Sequence, residues 1–179
     1  YNRVEDARHL AQQERWAESE SVLREVLAAT PGNTSARSIL GMTLLRQGRL
    51  AEAEDQYLQV LAEDPAQSRI YGMLASIALL RGELDNARRR LEQALEITPG
   101  FVEAMASLGM VETLAGNAEL GRSWYDKALA ADAGFPRAHL LLADYHYERG
   151  DWREALASYQ RVLTAVPDHF DALIQAGNS

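Results

Sequence analysis

The stretch "LGMTLLRQGRLAEAEDQYLQVLAEDP", Leu40 to Pro65, decides how the whole chain is read. In its second half the apolar residues Leu50, Ala53, Tyr57, Val60 and Leu61 step by three and four, as one face of a helix requires. Gly48 stands where a preceding helix ends and the chain reverses. Pro65 closes the stretch, because proline lacks the N–H that would continue a helix and drives the residue before it towards extended geometry. The segment therefore reads as a helical hairpin: helix A, a glycine turn, helix B and a proline stop.

The same punctuation recurs along the chain. Pro31, Pro65, Pro99 and Pro167 fall on a grid of 34 residues, with "TPG" at Thr30–Gly32 and again at Thr98–Gly100. The missing mark falls at Ala133, in "ADAGFP", where Pro136 lies three residues late, and this loss is expected to reshape the local turn. Laid out at the same period, Ala7, Gly41, Ala75, Gly109, Ala143 and Gly177 form a column of small residues. Ser19, Ala53, Ala87, Gly121 and Ala155 form a second small column, and Leu27, Leu61, Leu95, Leu129 and Leu163 a third of leucine. Small residues at fixed places let two helices approach closely, and the larger columns fill the space between them. Gly48, Gly82, Gly116 and Gly150 mark the hairpin turns, with Glu14 in that place in the first repeat. Each unit is expected to hold a helix A of about fourteen residues and a helix B of about thirteen. "DWRE", Asp151 to Glu154, has the form of a capping box. No segment alternates with a period of two, so strands are not expected.

On these columns and this period the chain resembles the tetratricopeptide repeat family. The resemblance implies an all-α fold, a right-handed superhelical solenoid of antiparallel helix pairs forming one array over residues 1–179. Its repeats span approximately 1–33, 34–67, 68–101, 102–135 and 136–169, with a partial sixth at 170–179. The position where the family usually carries Trp or a similar residue holds Arg3, Arg37, Tyr71, Met105 and His139 here, a departure from its pattern.

The resemblance also implies that A helices line a concave groove. The positions that would bind a partner there are Arg8, Met42, Leu45, Arg46, Arg69, Ser76, Leu79, Met110, Thr113, Asp144, Tyr147 and Glu148. Val4, Ala11, Gln12, Ser38, Gly72, Leu80, Ala106, Leu114 and Leu140 complete the lining, and Ser35, Arg69, Glu103, Arg137 and Asp171 stand at the helix starts. Met42, Leu45, Leu79, Leu80, Met110 and Leu114 make the groove apolar, which suits a partner's helix or extended segment. The competing reading is that the leucines only pack between neighbouring A helices. Arg8, Arg46 and Arg69 weight the first half with positive charge, and Glu103, Asp144, Glu148 and Asp171 weight the second with negative charge. The residues of the family's carboxylate clamp and of its asparagine ladder are absent, apart from Arg69 in one clamp position.

Catalysis finds little support. With no cysteine there is no thiol nucleophile or thiolate metal site. His9, His139, His146 and His169 include no pair with zinc-protease spacing. His146 is expected to hydrogen-bond Glu112 one repeat earlier in its column, and Ser, His and Asp show no nucleophile motif. No catalytic residue, cofactor or metal ligand is assigned. "RRR", Arg88 to Arg90, reads as a solvated outer face of helix B.

A net charge of −8 argues against a general nucleic-acid or anionic-membrane binder. Lys127 is the one lysine among 18 basic residues, which suggests a GC-rich, bacterial coding sequence. The compartment is left open. The chain is expected to be a fragment of a larger bacterial protein that serves as a non-catalytic protein-protein interaction scaffold. The alternative is the substrate-presenting accessory region of a glycosyltransferase or sulfotransferase. Leu173 and Ile174, on an uncapped last helix, offer an edge for self-association.

Overall fold

The computed structural model describes residues 2–178, apart from the side chains of Phe170, Asp171 and Asn178. Every regular element among them is helical: α1 (Arg3–Gln12), α2 (Trp16–Ala29), α3 (Thr34–Arg46), α4 (Leu50–Glu63), α5 (Ser68–Leu80), α6 (Leu84–Ile97), α7 (Val102–Leu114), α8 (Ala118–Ala131), α9 (Pro136–Arg149), α10 (Trp152–Ala165) and α11 (Phe170–Asn178). The odd-numbered helices are the A helices and the even-numbered ones the B helices. α9 has the expected 14 residues, but α3, α5 and α7 have 13 and each B helix has 14, one more than expected. The reason is local: helix B starts two residues after the glycine and runs until two residues before the proline.

Hairpin turns are made by residues in the left-handed region, Gly48, Gly82, Gly116 and Gly150 at φ 74° to 88°. Glu14 takes the same conformation without glycine's freedom, at φ 59°. Between hairpins, the residue before Pro31, Pro65 and Pro167 is extended: Thr30 (φ −140°), Asp64 (−141°) and Val166 (−136°). Asp132 adopts φ −141°, ψ 98°, the values of Asp64, although Ala133 follows it. The turn at Ala133 is thus not reshaped. Asp132 Oδ1 accepts from Gly134 N at 2.9 Å just as Asp64 Oδ1 accepts from Ala66 N at 3.0 Å, and Pro136 opens the next helix. The capping box at Asp151 does not form either. Asp151 makes no side-chain cap bond, and its carboxylate lies 3.5 Å from His146 Nδ1 instead. Arg37 and His139, at the position the family fills with Trp, reach back six residues to the carbonyls of Pro31 and Ala133, tying turn to helix.

The chain forms two compact units, Tyr1–Glu83 and Leu84–Ser179. In unit 1 the core gathers Ala7, Leu23, Ile39, Leu40, Leu44, Ala53, Tyr57, Val60, Leu74 and Ile77. Gly41 lets the ring of Tyr57 lie against the α3 backbone, where a Cβ would come within 2.7 Å of the ring. Ser19 is wholly buried and satisfied, donating to Ala7 O at 2.8 Å. In unit 2, α7 and α8 approach through paired glycines: a Cβ on Gly121 would meet Gly109 O at 2.7 Å, and one on Gly109 would meet Tyr125 Cε1 at 2.4 Å. Ala143, Ala155, Tyr159 and Val162 build the next core layer. Within unit 1, α1 packs on α3 and α3 on α5, and within unit 2 α7 packs on α9. No comparable packing joins α2 to α4 or α8 to α10 among the described residues. Because the A helices lie closer together than the B helices, they form the inner layer of each unit.

Candidate functional site

The open side of the A helices is the candidate surface. In unit 1, Met42 and Leu45 are half-buried against the core, Leu79 is half-buried on α5, and Leu80 is 65% exposed. Arg8, Arg46 and Arg69 are exposed, and Arg8 lies 3.2 Å from Glu5. Ser76 Oγ donates to Gly72 O at 3.0 Å, so its hydrogen-bond donor is used within the helix. Two lining positions are not surface at all: Ala11 and Ala106 are buried where neighbouring helices meet.

Unit 2 carries a different surface. Met110 is half-buried and Leu114 is 61% exposed. Thr113 Oγ1 donates to Gly109 O and lies 3.0 Å from the Tyr125 hydroxyl, which makes it a support for the core. Tyr147 is half-buried and meets Trp152 edge-on with ring centres 5.1 Å apart. Asp144 and Glu148 are exposed one helical turn apart on α9, and Glu103 and Arg137 are exposed at helix starts. The side chain of Asp171 falls outside the described ones. Asp144 accepts a 2.8 Å hydrogen bond from Tyr159, and burial together with that carboxylate pushes the Tyr159 hydroxyl above the usual tyrosine range. Leu140, Asp144, Tyr159, Ile174 and Gln175 line a cleft of ≈ 440 Å³. Leu173 and Ile174 on α11 are exposed.

The expected Glu112–His146 bond does not form. Glu112, 4% exposed, accepts from Arg88 Nε at 2.6 Å and from Asn117 Nδ2 at 2.9 Å. A guanidinium on the preceding B helix reaches the carboxylate and is the better partner for a buried charge. Arg88 is thereby removed from the supposed solvated run, while Arg89 stays exposed. The Arg88 hydrogen bond holds the Glu112 carboxyl below the usual glutamate range against its burial. In unit 1, burial works against the charge of Glu20, yet Gln47, Arg24 and Arg49 overcome it and hold that carboxyl low as well. These pairings had a sequence signal, since Arg88 and Glu112 are separated by 24 residues, as are Ser19 and Thr43, which meet at 3.5 Å. That offset joins a B helix to the next A helix. Among the described residues no cluster of three or more His, Asp or Glu is placed to hold a metal. No helix among them is long and apolar enough to cross a membrane.

Stacked helical hairpins with a small-residue seam and an open A-helix face define a helical-hairpin repeat protein. The chain belongs to the tetratricopeptide repeat family, whose sequence models match residues 10–77, 78–145 and 136–179. Solved structures share the fold across nearly the whole chain. A thermophilic tetratricopeptide repeat protein from Thermus thermophilus has 22% identity over 99% of this chain and 96% of its own, with a TM-score of 0.84. PilF of Pseudomonas aeruginosa has 17% identity over 98% of this chain and 86% of its own, with a TM-score of 0.80. YrrB, a tetratricopeptide repeat protein with an unusual peptide-binding site, has 18% identity over 96% of this chain and 88% of its own, with a TM-score of 0.65. No curated protein sequence matches significantly.

Proposed function

We propose that this chain is a protein-protein interaction scaffold that binds a peptide or helix on the A-helix face of its units and performs no chemistry itself. One observation carries the reading. Leu80 and Leu114, at the same place in their repeats, stand 65% and 61% exposed, with half-buried Met42, Leu45 and Leu79 on the A helices of unit 1 and Met110 on α7 of unit 2. Exposed apolar side chains with methionine beside them suit a partner's apolar anchors. Family membership supports the same reading, because repeat arrays present extended surfaces to other molecules, and YrrB, similar in fold, is described as having a peptide-binding site.

The test is a pull-down from the source organism with mass spectrometry, comparing wild type with Leu80→Asp/Leu114→Asp. Both side chains are exposed, so the variant should retain its circular dichroism and melting temperature. A partner held by wild type and lost by the variant supports the reading. A partner held equally by both places binding elsewhere, and repeated failure to capture any partner removes the scaffold role. A second reading, self-association through α11, is favoured by the exposure of Leu173 (50%) and Ile174 (45%). Sedimentation at the monomer mass across all concentrations would overturn it.

A further inference from the structure

Neither α3 nor α5 contains an acidic residue, although the chain as a whole has a net charge of −8. Their arginines are Arg37, Arg46 and Arg69. Arg37 is spent inside the fold, on Gln56 and on the Pro31 carbonyl. Arg46 and Arg69 are exposed and have no intramolecular partner among the described residues. This sets them apart in unit 1. Arg3, Arg8, Arg15, Arg24, Arg49 and Arg81 are each in an ion pair, with N to O distances of 2.6 to 3.2 Å. Glu5, Glu18, Glu20, Glu25, Glu52 and Glu54 are the partners in those pairs, whereas α3 and α5, with no carboxylate of their own, keep Arg46 and Arg69 unmatched among the described residues.

Those two cations frame an interval that is apolar towards Arg46. Arg46 is the last residue of α3 and Arg69 the second of α5. Both helices pack on α4 and run opposite to it, so Arg46 and Arg69 lie near opposite ends of parallel neighbours. At ~1.5 Å per residue they are separated by roughly 17 Å along the helix direction. Met42, Leu45 and Leu79 lie in the half of the interval nearer Arg46, and Leu80 is exposed beside them. An extended chain at ~3.3 Å per residue covers that distance in about five residues.

We infer that the A-helix face of unit 1 binds an acidic peptide segment, with apolar residues between two carboxylates about five positions apart in extended chain. This rests on the scaffold reading and gives it a partner chemistry. The carboxylates meet Arg46 and Arg69, and the apolar residues between them meet Met42, Leu45 and Leu79. Charge complementarity of this kind sets partner choice and docking rate, and exposes binding to salt.

The test uses two fluorescent peptides of identical apolar sequence, one with glutamates at the two framing positions and one with lysines. Fluorescence polarisation is measured with the wild-type chain and with Arg46→Glu/Arg69→Glu, checked as folded by circular dichroism. The expected result is that the glutamate peptide binds wild type about tenfold more tightly than the lysine peptide, less so at high salt, and that the variant reverses the preference. Equal binding of both peptides, an unchanged preference in the variant, or binding of neither overturns the inference. Failure here with a Leu80-dependent partner in the pull-down leaves the scaffold reading standing, whereas failure in both assays removes both.

Discussion

The hydroxyl of Tyr125 lies 3.0 Å from Thr113 Oγ1, and its counterpart two repeats earlier, Tyr57, has no hydrogen-bond partner for its buried hydroxyl. Leu45 occupies the position that corresponds to Thr113, and Met42 the position that corresponds to Asp144, which satisfies Tyr159. Tyr57 therefore keeps its ring packing over Gly41 while its polar end stays unmet. Burial raises its hydroxyl above the usual tyrosine range.

Removing that hydroxyl should cost nothing. Tyr57→Phe is expected to leave stability unchanged or raise it by about 1 kcal/mol, whereas Tyr125→Phe should lower it by about 1 kcal/mol. Urea denaturation of the two variants measures the contrast, and equal losses would show that Tyr57 finds a partner in solution.

Gly41 and Gly121 test what kind of atom stands in the way. A Cβ at Gly41 meets the edge of the Tyr57 ring, and one at Gly121 meets Thr113 Oγ1 at 2.2 Å and the Gly109 backbone at 2.7 Å. Alanine's better helix propensity returns about 1 kcal/mol in each case. Gly41→Ala should then lose about 1 kcal/mol and Gly121→Ala about 3 kcal/mol, because backbone yields less than a ring. Thermal or urea melts read the order directly.

The Arg88–Glu112 pair makes stability depend on pH. Glu112's folded pKa is depressed below the ordinary glutamate value of 4.5, so its ionised form stabilises the fold above that pH, and the contribution is lost as pH falls through the folded value. Arg88→Ala leaves a nearly buried carboxylate with Asn117 alone and should lose about 3 kcal/mol at pH 7. Urea unfolding at pH 7 and pH 3 should show the gap between wild type and variant shrinking in acid. A gap that stays constant would assign the loss to packing of the arginine stem.

Glu14 stands in the glycine column at φ 59°, a left-handed conformation that a side chain takes at a cost. Glu14→Gly should raise stability by about 1 kcal/mol, less the extra freedom that glycine gives the unfolded chain. A lower melting temperature would mean that the Glu14 side chain contributes more than the strain costs.

Much of the fold was readable because each helix hairpin repeats the same physical constraints. The small columns became helix contacts at Gly41, Gly109 and Gly121, and the glycine column became left-handed turns. What escaped depended on reach between helices. The shared column sets Glu112 level with His146, whereas Arg88 on the preceding B helix arrives with a long charged side chain. Column reading compares equivalent places in successive repeats, and contacts such as Arg88–Glu112 or Tyr145–Glu119 join unlike places, 24 and 26 residues apart. For the candidate surface, residue type pointed to Met42, Leu79 and Arg46. It did not tell that Ser76 and Thr113 spend their hydroxyls inside their own helices.

The turn at Asp132 separates two jobs that proline performs at once elsewhere in the chain. Asp132 reaches the backbone angles of Asp64 with alanine after it, so the folded turn does not require the ring that follows Asp64. What Pro31, Pro65, Pro99 and Pro167 add lies before folding: each narrows the conformations open to the unstructured chain and so reduces the entropy lost on forming the turn. The regular marks that make the sequence legible are in this sense a memory kept in the disordered chain, while the folded architecture can do without one of them.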